Sequence, residues 1–340
     1  MSQNIPMKFL DWVDESKLDW YVLSRNPNAM YLVQQRLEKM DWWQRLSSNP
    51  ADAIRFLEKK IKNIDWHWLS KNPNAIPILE KLLKHENYAI ISTLEDIHIR
   101  GLQEMPEISW CGLSQNPNAI PLLEKNQDKI MWSALSSNPN AIPLLEQNPH
   151  KIHWPNLSAN PSAIPLLELH PEKINWHWLS SNPNAIPLLE KNLDKIDWMM
   201  LSKNPNAIPL LVQHPEKICW YYLSSNPNAI RIFEQYPDKI YKICWMILSA
   251  NPNAIPLLEK NIDKINWVWL CRNTNAIPLL EQNTDKIDWY WLSENPGIFT
   301  YDYAVMKENH RDLKEELIQR ALHPSRIASW LDAGVDLEDL

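Results

Sequence analysis

The chain has 340 residues and a formal charge of −7, with Asp and Glu intermixed with Lys and Arg along its length. That balance excludes a protein whose main work is gripping nucleic acid by neutralising phosphates. The chain holds 19 Trp, 27 Pro and only 4 Gly, so its turns must be made mostly without glycine; repeated Asn-Pro is the substitute, since Pro halts a helix and Asn tolerates tight turns.

The chain opens on Met1-Ser2-Gln3-Asn4-Ile5-Pro6-Met7-Lys8, which has no apolar stretch of the signal-peptide kind and predicts a protein that is not secreted. No run of 18 apolar residues occurs, which predicts no membrane span. Residues 1–18, with the amphipathic stretch Phe9-Leu10-Asp11-Trp12-Val13, read as an N-terminal cap.

From there to residue 296 the chain is periodic. Trp recurs in one phase at 20, 43, 66, 110, 132, 154, 176, 198, 220, 245, 267 and 289, mostly in steps of 22. In the unit Asp197 to Lys217, Asp197 is a helix N-cap, and Trp198 and Leu201 lie on one face. Pro205 stops that helix at Asn204, Pro209 falls in the first turn of a second helix, and Asp194-Lys195-Ile196 is the turn that leads in. Each helix has about two turns, too few to hold alone, so the units must stack.

The expected fold is therefore all-α: an α-solenoid, a superhelical stack of about thirteen two-helix repeats with caps at both ends. At about 9 Å per unit the stack predicts a rod on the order of 110 Å. The gap between Trp66 and Trp110 reads as two steps, with a degenerate unit at about 84–107, where Tyr88-Ala89-Ile90-Ile91-Ser92 replaces the usual motif. The inserted Tyr241-Lys242-Ile243 and the degenerate unit are places for the stack to bend. Residues 297–340 read as a C-terminal helical cap, with helices over 309–322 and 325–333.

The nonapeptide Asn-Pro-Asn-Ala-Ile-Pro-Leu-Leu-Glu recurs at 116–124, 138–146, 182–190 and 251–259. With its Asp-Lys-Ile-Asp-Trp link it resembles the tandem repeats of proteins encoded by giant DNA viruses. The ending, from His323-Pro324-Ser325-Arg326-Ile327 through Trp330, Gly334 and Asp336, is similar to the tails of such proteins. More distantly the unit resembles leucine-rich variant repeats, which place Asn-Pro between two short helices, one of them 3₁₀. The resemblance implies a superhelical repeat fold, with one helix of the 3₁₀ type, and a viral setting in the host cytoplasm or the virion. It implies no activity and no catalytic residues.

The most regular polar feature is a ladder: Asn26, Asn49, Asn72, Asn116, Asn138, Asn160, Asn182, Asn204, Asn226, Asn251, Asn273 and Asn295. Its strict recurrence points to a structural role, satisfying backbone groups freed by the following Pro. The in-phase Trp residues read as core.

Function should lie where the frame is constant and the residue varies, at the two positions after each Trp. The candidate binding stripe is Trp68, His177, Trp178, Met199, Met200, Tyr221, Tyr222, Trp269, Tyr290 and Trp291. At 100° per residue these lie well away from the core direction. They form either an apolar binding surface or packing between repeats.

No His/Cys cluster has ligand spacing, and His67 and His177 fall five repeats apart, so no metal or cofactor is expected. Cys111, Cys219, Cys244 and Cys271 read as free thiols of a reducing, cytoplasmic compartment. No phosphate loop or nucleophile elbow occurs, so the chain is not expected to be an enzyme. The expected function is a scaffold for a protein partner. A structural part of a virus particle is the alternative, and single-stranded nucleic-acid binding by aromatic stacking the third reading.

Overall fold

The computed structural model describes residues 5–36, 46–49, 64–84, 108–308 and 311. The repeat at Trp176 shows how the unit is built. Asn175 caps the first helix, Trp176–Ser180, its side chain accepting the amide of Trp178. The helix ends at Ser180, and Asn182 caps a 3₁₀ turn, Pro183–Ala185. That turn runs into the second helix, Ile186–Glu190, and a second 3₁₀ turn, Leu193–Lys195, leads to the next cap at Asp197. Both helices are α. The 3₁₀ geometry expected of one helix belongs instead to the turns, where Pro fixes φ and leaves a single tight turn room.

Leu179, Leu189 and Ala185 are fully buried, as are their counterparts along the stack. Each such leucine contributes on the order of 2 kcal/mol of apolar burial, and none would be covered without neighbouring repeats.

Two polar ladders fix the spacing. Asn182 accepts the amide of Asn184 on Oδ1, while its Nδ2 donates to the carbonyls of Ser158 and Asn160, each 3.0 Å away in the preceding repeat. Ser180 donates its hydroxyl to the carbonyl of Trp176 and accepts the amide of Asp197 from the following repeat. The Asn and Ser side chains of these ladders are buried, so every one of those bonds replaces water that cannot reach the site.

The stack closes on itself. Asn26 of the first repeat donates to the carbonyl of Ser293 in the last at 3.2 Å, Asn28 donates to Pro296, and the Asp19 amide to the Ser293 hydroxyl. Bonds of the same three kinds recur at other junctions, as at Asn204, Asn206 and Asp197. Two short strands lie over this seam: β1 (Met7–Phe9) pairs antiparallel with β2 (Phe299–Tyr301), Lys8 opposite Thr300. Glu15 pairs with Arg36, and Lys17 sits over Trp289 of the last repeat. The expected rod with two capped ends is thus a ring, and the segments read as separate caps meet in one clasp. Of the expected C-terminal helices, 309–322 and 325–333 lie almost wholly outside the described residues, although 303–308 are helical.

Among the described residues the ring carries twelve repeats, one for each Asn of the ladder, where about thirteen were expected. Asn116 donates to the carbonyls of Ser70 and Asn72, both at 3.0 Å, so the repeat at Trp110 stacks directly on the repeat at Trp66. The stretch read as a degenerate unit, about 84–107, lies almost wholly outside the described residues. The insertion near Tyr241 is absorbed by lengthening one outer turn to Pro237–Lys242. The ladder crosses it intact, with Asn251 3.0 Å from the Asn226 carbonyl.

Neighbouring first helices approach within 8 Å between Cα atoms at several points, and neighbouring second helices less so. Each repeat is therefore a wedge with its first helix on the inside, and twelve wedges turning by about 30° each complete the circle.

Candidate functional site

Within a first helix the Trp, Leu and Ser of the motif, at positions one, four and five, point toward the core. At 100° per residue, positions three and six then point the opposite way. Because the first helices form the inner circumference, those positions face the lumen. Arg25 shows this directly: its guanidinium lies 5.6 Å from the ring of Trp68, two repeats away, reaching past the repeat between them. A contact of that span is possible only across a concave wall.

Twelve steps of about 9 Å set the first-helix axes on a circle about 34 Å across, and subtracting one helix diameter leaves a lumen of about 20 Å. Large side chains narrow it further.

The candidate stripe divides into two rows. The third-position residues Trp68, Trp178, Tyr222, Trp269 and Trp291 belong to the lumen wall; Trp68 is 42% and Trp178 43% exposed, and the other three are half-buried. Met200 shares this phase but is buried at 7%, as Val22, Gly112 and Ala134 are also buried, so at these four repeats the position packs between repeats and offers no surface. His177, Met199, Tyr221 and Tyr290, at the second position, are exposed but turn sideways. His177 shows the direction, its Nδ1 lying 2.6 Å from Oδ2 of Asp197, the cap of the following repeat. Burial raises the Asp197 pKa, but the bond to His177 and the amide of Met200 outweigh it, and the carboxyl stays below its ordinary value. The rings of the two rows nevertheless meet edge-on within a repeat, as at His177–Trp178 (5.2 Å), Tyr221–Tyr222 (5.3 Å) and Tyr290–Trp291 (5.1 Å).

The sixth position completes the wall and escaped the sequence reading, although the residue between Ser and the ladder Asn varies as freely as those after Trp. Arg25, Lys71, Lys203 and Arg272 occupy it, with Glu294 as its one carboxylate. These cations lie against the third-position rings: Lys203 4.6 Å from Tyr222, Lys71 5.3 Å from Trp68, and Arg272 4.8 Å from Trp291. At the seam Glu294 lies between two guanidinium groups, 3.8 Å from Arg25 and 3.3 Å from Arg272.

The wall is uneven. Gln115, Ser137 and Ala159, with Asn156, make one side small and uncharged, while Gly112 and Ala134 there are buried against neighbouring repeats. Across the lumen stand Ile247, Trp269 and Trp291 with Arg272 and Glu294. Around the whole sixth-position row, a chain with an overall charge of −7 carries four cations against one anion.

The in-phase Trp residues are mostly half-buried at the edge of the core rather than within it. Several carry a lysine from the outer turn of their own repeat over the ring, such as Lys195 4.9 Å from Trp176 and Lys286 4.6 Å from Trp267.

The four cysteines are unpaired thiols. Cys271 replaces the ladder serine in its repeat, and burial pushes its thiol up to about 11. Among the described residues no group of His, Cys, Asp and Glu is arranged to hold a metal ion, and no helix is long and apolar enough to cross a membrane. Comparison of the chain with protein-family models, curated proteins and solved structures finds no match.

Proposed function

We propose that this chain is a non-enzymatic binding ring that holds a segment of a polypeptide partner in its lumen, acting as a scaffold. The observation that carries the reading is the exposure of Trp178 and Trp68 on an inner wall whose frame is otherwise constant. Large aromatic side chains left open in a concave surface are the usual anchors of recognition. Variation at lumen-facing positions, around near-constant ladders, is what a fixed frame with a tuned site requires. The viral resemblance of the repeat adds a setting: a host or viral polypeptide, met in the host cytoplasm or the virion.

A photo-crosslinking residue placed at Trp178, and separately at Leu169, tests this in the native context. Leu169 ends a second helix and is 73% exposed. The expected result is a nuclease-resistant polypeptide adduct from position 178 and none from position 169. Adducts from 169 alone, or adducts at 178 that nuclease removes, would overturn the reading.

A further inference from the structure

We infer that the segment taken into the lumen is acidic, carrying Asp or Glu among aromatic or aliphatic residues; this rests on the lumen being the binding site. Three observations lead there. The first is charge: Arg25, Lys71, Lys203 and Arg272 line a wall whose sign is opposite to that of the chain. Cations in a recessed wall with low-dielectric sides attract the complementary charge more strongly than the same cations on an open surface.

The second is that the wall already accepts a carboxylate. Glu294 lies between Arg25 and Arg272 without cancelling both, and its side chain is 23% exposed. A guanidinium has five donors in a planar fork, so each keeps donors for a further carboxylate. The third is the interleaving of cation and ring. Each cation lies on the face of an aromatic residue, as Lys203 does on Tyr222 and Arg272 on Trp291. A ligand that sets a carboxylate beside an apolar side chain meets both halves of such a pair at once.

The spacing favours a polypeptide over a nucleic acid. A single strand presents a charge at every nucleotide and asks for a continuous cationic track. Here the sixth position carries no cation through four successive repeats, at Gln115, Ser137, Ala159 and Ser181. Isolated cations separated by small or apolar residues suit a ligand whose charges are also sparse.

The test is selection of displayed random sixteen-residue peptides on the intact chain, followed by fluorescence anisotropy with the selected peptides, their Glu→Gln and Asp→Asn counterparts, and oligo(dT). The expected peptides are enriched in Asp or Glu beside apolar residues. Their neutral counterparts should bind at least tenfold more weakly, and so should the selected peptides to K71E/K203E. That variant leaves the seam pair at Glu294 untouched, and a melting curve verifies that it is folded. If it is not, the salt dependence of the wild-type complex takes its place, with affinity expected to fall as salt rises.

Neutral or basic selected peptides that still crosslink at position 178 would overturn the acidic class while leaving the lumen as the site. Oligo(dT) that displaces the peptides with higher affinity would assign the wall to nucleic acid. Absence of any selected peptide would overturn the inference as well.

Discussion

The rings of Phe9 and Phe299 lie with their centroids 5.0 Å apart, facing each other across the strand pair that joins the beginning of the described chain to its end. Phe9 also meets Trp20 edge-on at 6.2 Å, so one side chain fastens the last repeat to the first. An isolated two-stranded pair is marginal in water. Here it is held by the aromatic contacts beneath it and by the ladder bonds of the seam.

The clasp can be locked covalently. Leu10 donates to the Ile298 carbonyl and Asp302 to the Pro6 carbonyl, which makes Met7 and Tyr301 a pair without mutual backbone bonds. Side chains of such pairs are the closer ones. The double variant Met7→Cys, Tyr301→Cys is expected to form a disulfide spontaneously in air, detected by peptide mapping and altered mobility on a non-reducing gel. The loop it closes is long, so the gain in stability should be about 3–5 kcal/mol. An open, rod-like chain would give no intramolecular bond.

Ladder asparagines should be among the least replaceable residues. In Asn182→Ala, two carbonyls and one amide of the interior lose their partner, which should cost about 2–4 kcal/mol in urea unfolding. Asn182→Asp keeps the acceptor for Asn184 but turns a carboxylate toward the Ser158 and Asn160 carbonyls. It is expected to be at least as destabilising at neutral pH, and to recover partly when acid protonates the carboxyl.

Gly112 lies in the first helix of the repeat at Trp110, which stacks directly on the repeat at Trp66. A Cβ there would lie 2.8 Å from the carbonyl oxygen of His67 and 3.0 Å from Cβ of Ser70. Backbone cannot move aside as a side chain can, so Gly112→Ala should destabilise by about 1–3 kcal/mol, read from thermal or denaturant midpoints. A neutral effect would mean that the two repeats are further apart than described.

Asp197 gives the stability a small acid limb. Its folded pKa is depressed, so it binds fewer protons than in the unfolded chain, and its contribution is present above the unfolded value near 4 and lost as pH falls through the folded one. Because the side chain is partly exposed, at 27%, the amount should be below about 1 kcal/mol. Asp197→Asn keeps an acceptor for the Met200 amide and should flatten this part of the profile below about pH 4. The check is the urea midpoint of both proteins from pH 3 to 7.

The repeat itself was legible because its signals are local. Asn182, Pro183 and Pro187 mark a helix end, a turn and a helix start within six residues, and Trp176 with Leu179 marks the inward face. Closure was not legible, for a cumulative reason. Curvature is a small rotation summed over all junctions, and an error of one unit in the count changes the sum by a whole step. The strands Met7–Phe9 and Phe299–Tyr301 are also too short to show an alternating pattern.

The lumen was half legible. A helical wheel places both Tyr221 and Tyr222 outside the core, but only the curvature of the stack separates the one turned along the junction from the one turned inward. Arg272 and Lys203 were passed over because a charged residue near a helix end ordinarily reads as solvated. Their meaning comes from Trp291 and Tyr222, which lie in the following repeats.

A stack with free ends frays: its outermost unit has one neighbour, exchanges its amide protons first and exposes the next. The bond from Asn26 to Ser293 removes that hierarchy. With a neighbour on each side of every unit, losing any one means parting two interfaces together, and the first loss releases the constraint on all the others. Hydrogen exchange in this protein should therefore show no gradient from terminal to central repeats. A single cut through the seam should restore that gradient, turning one cooperative melting transition into a progressive unzipping.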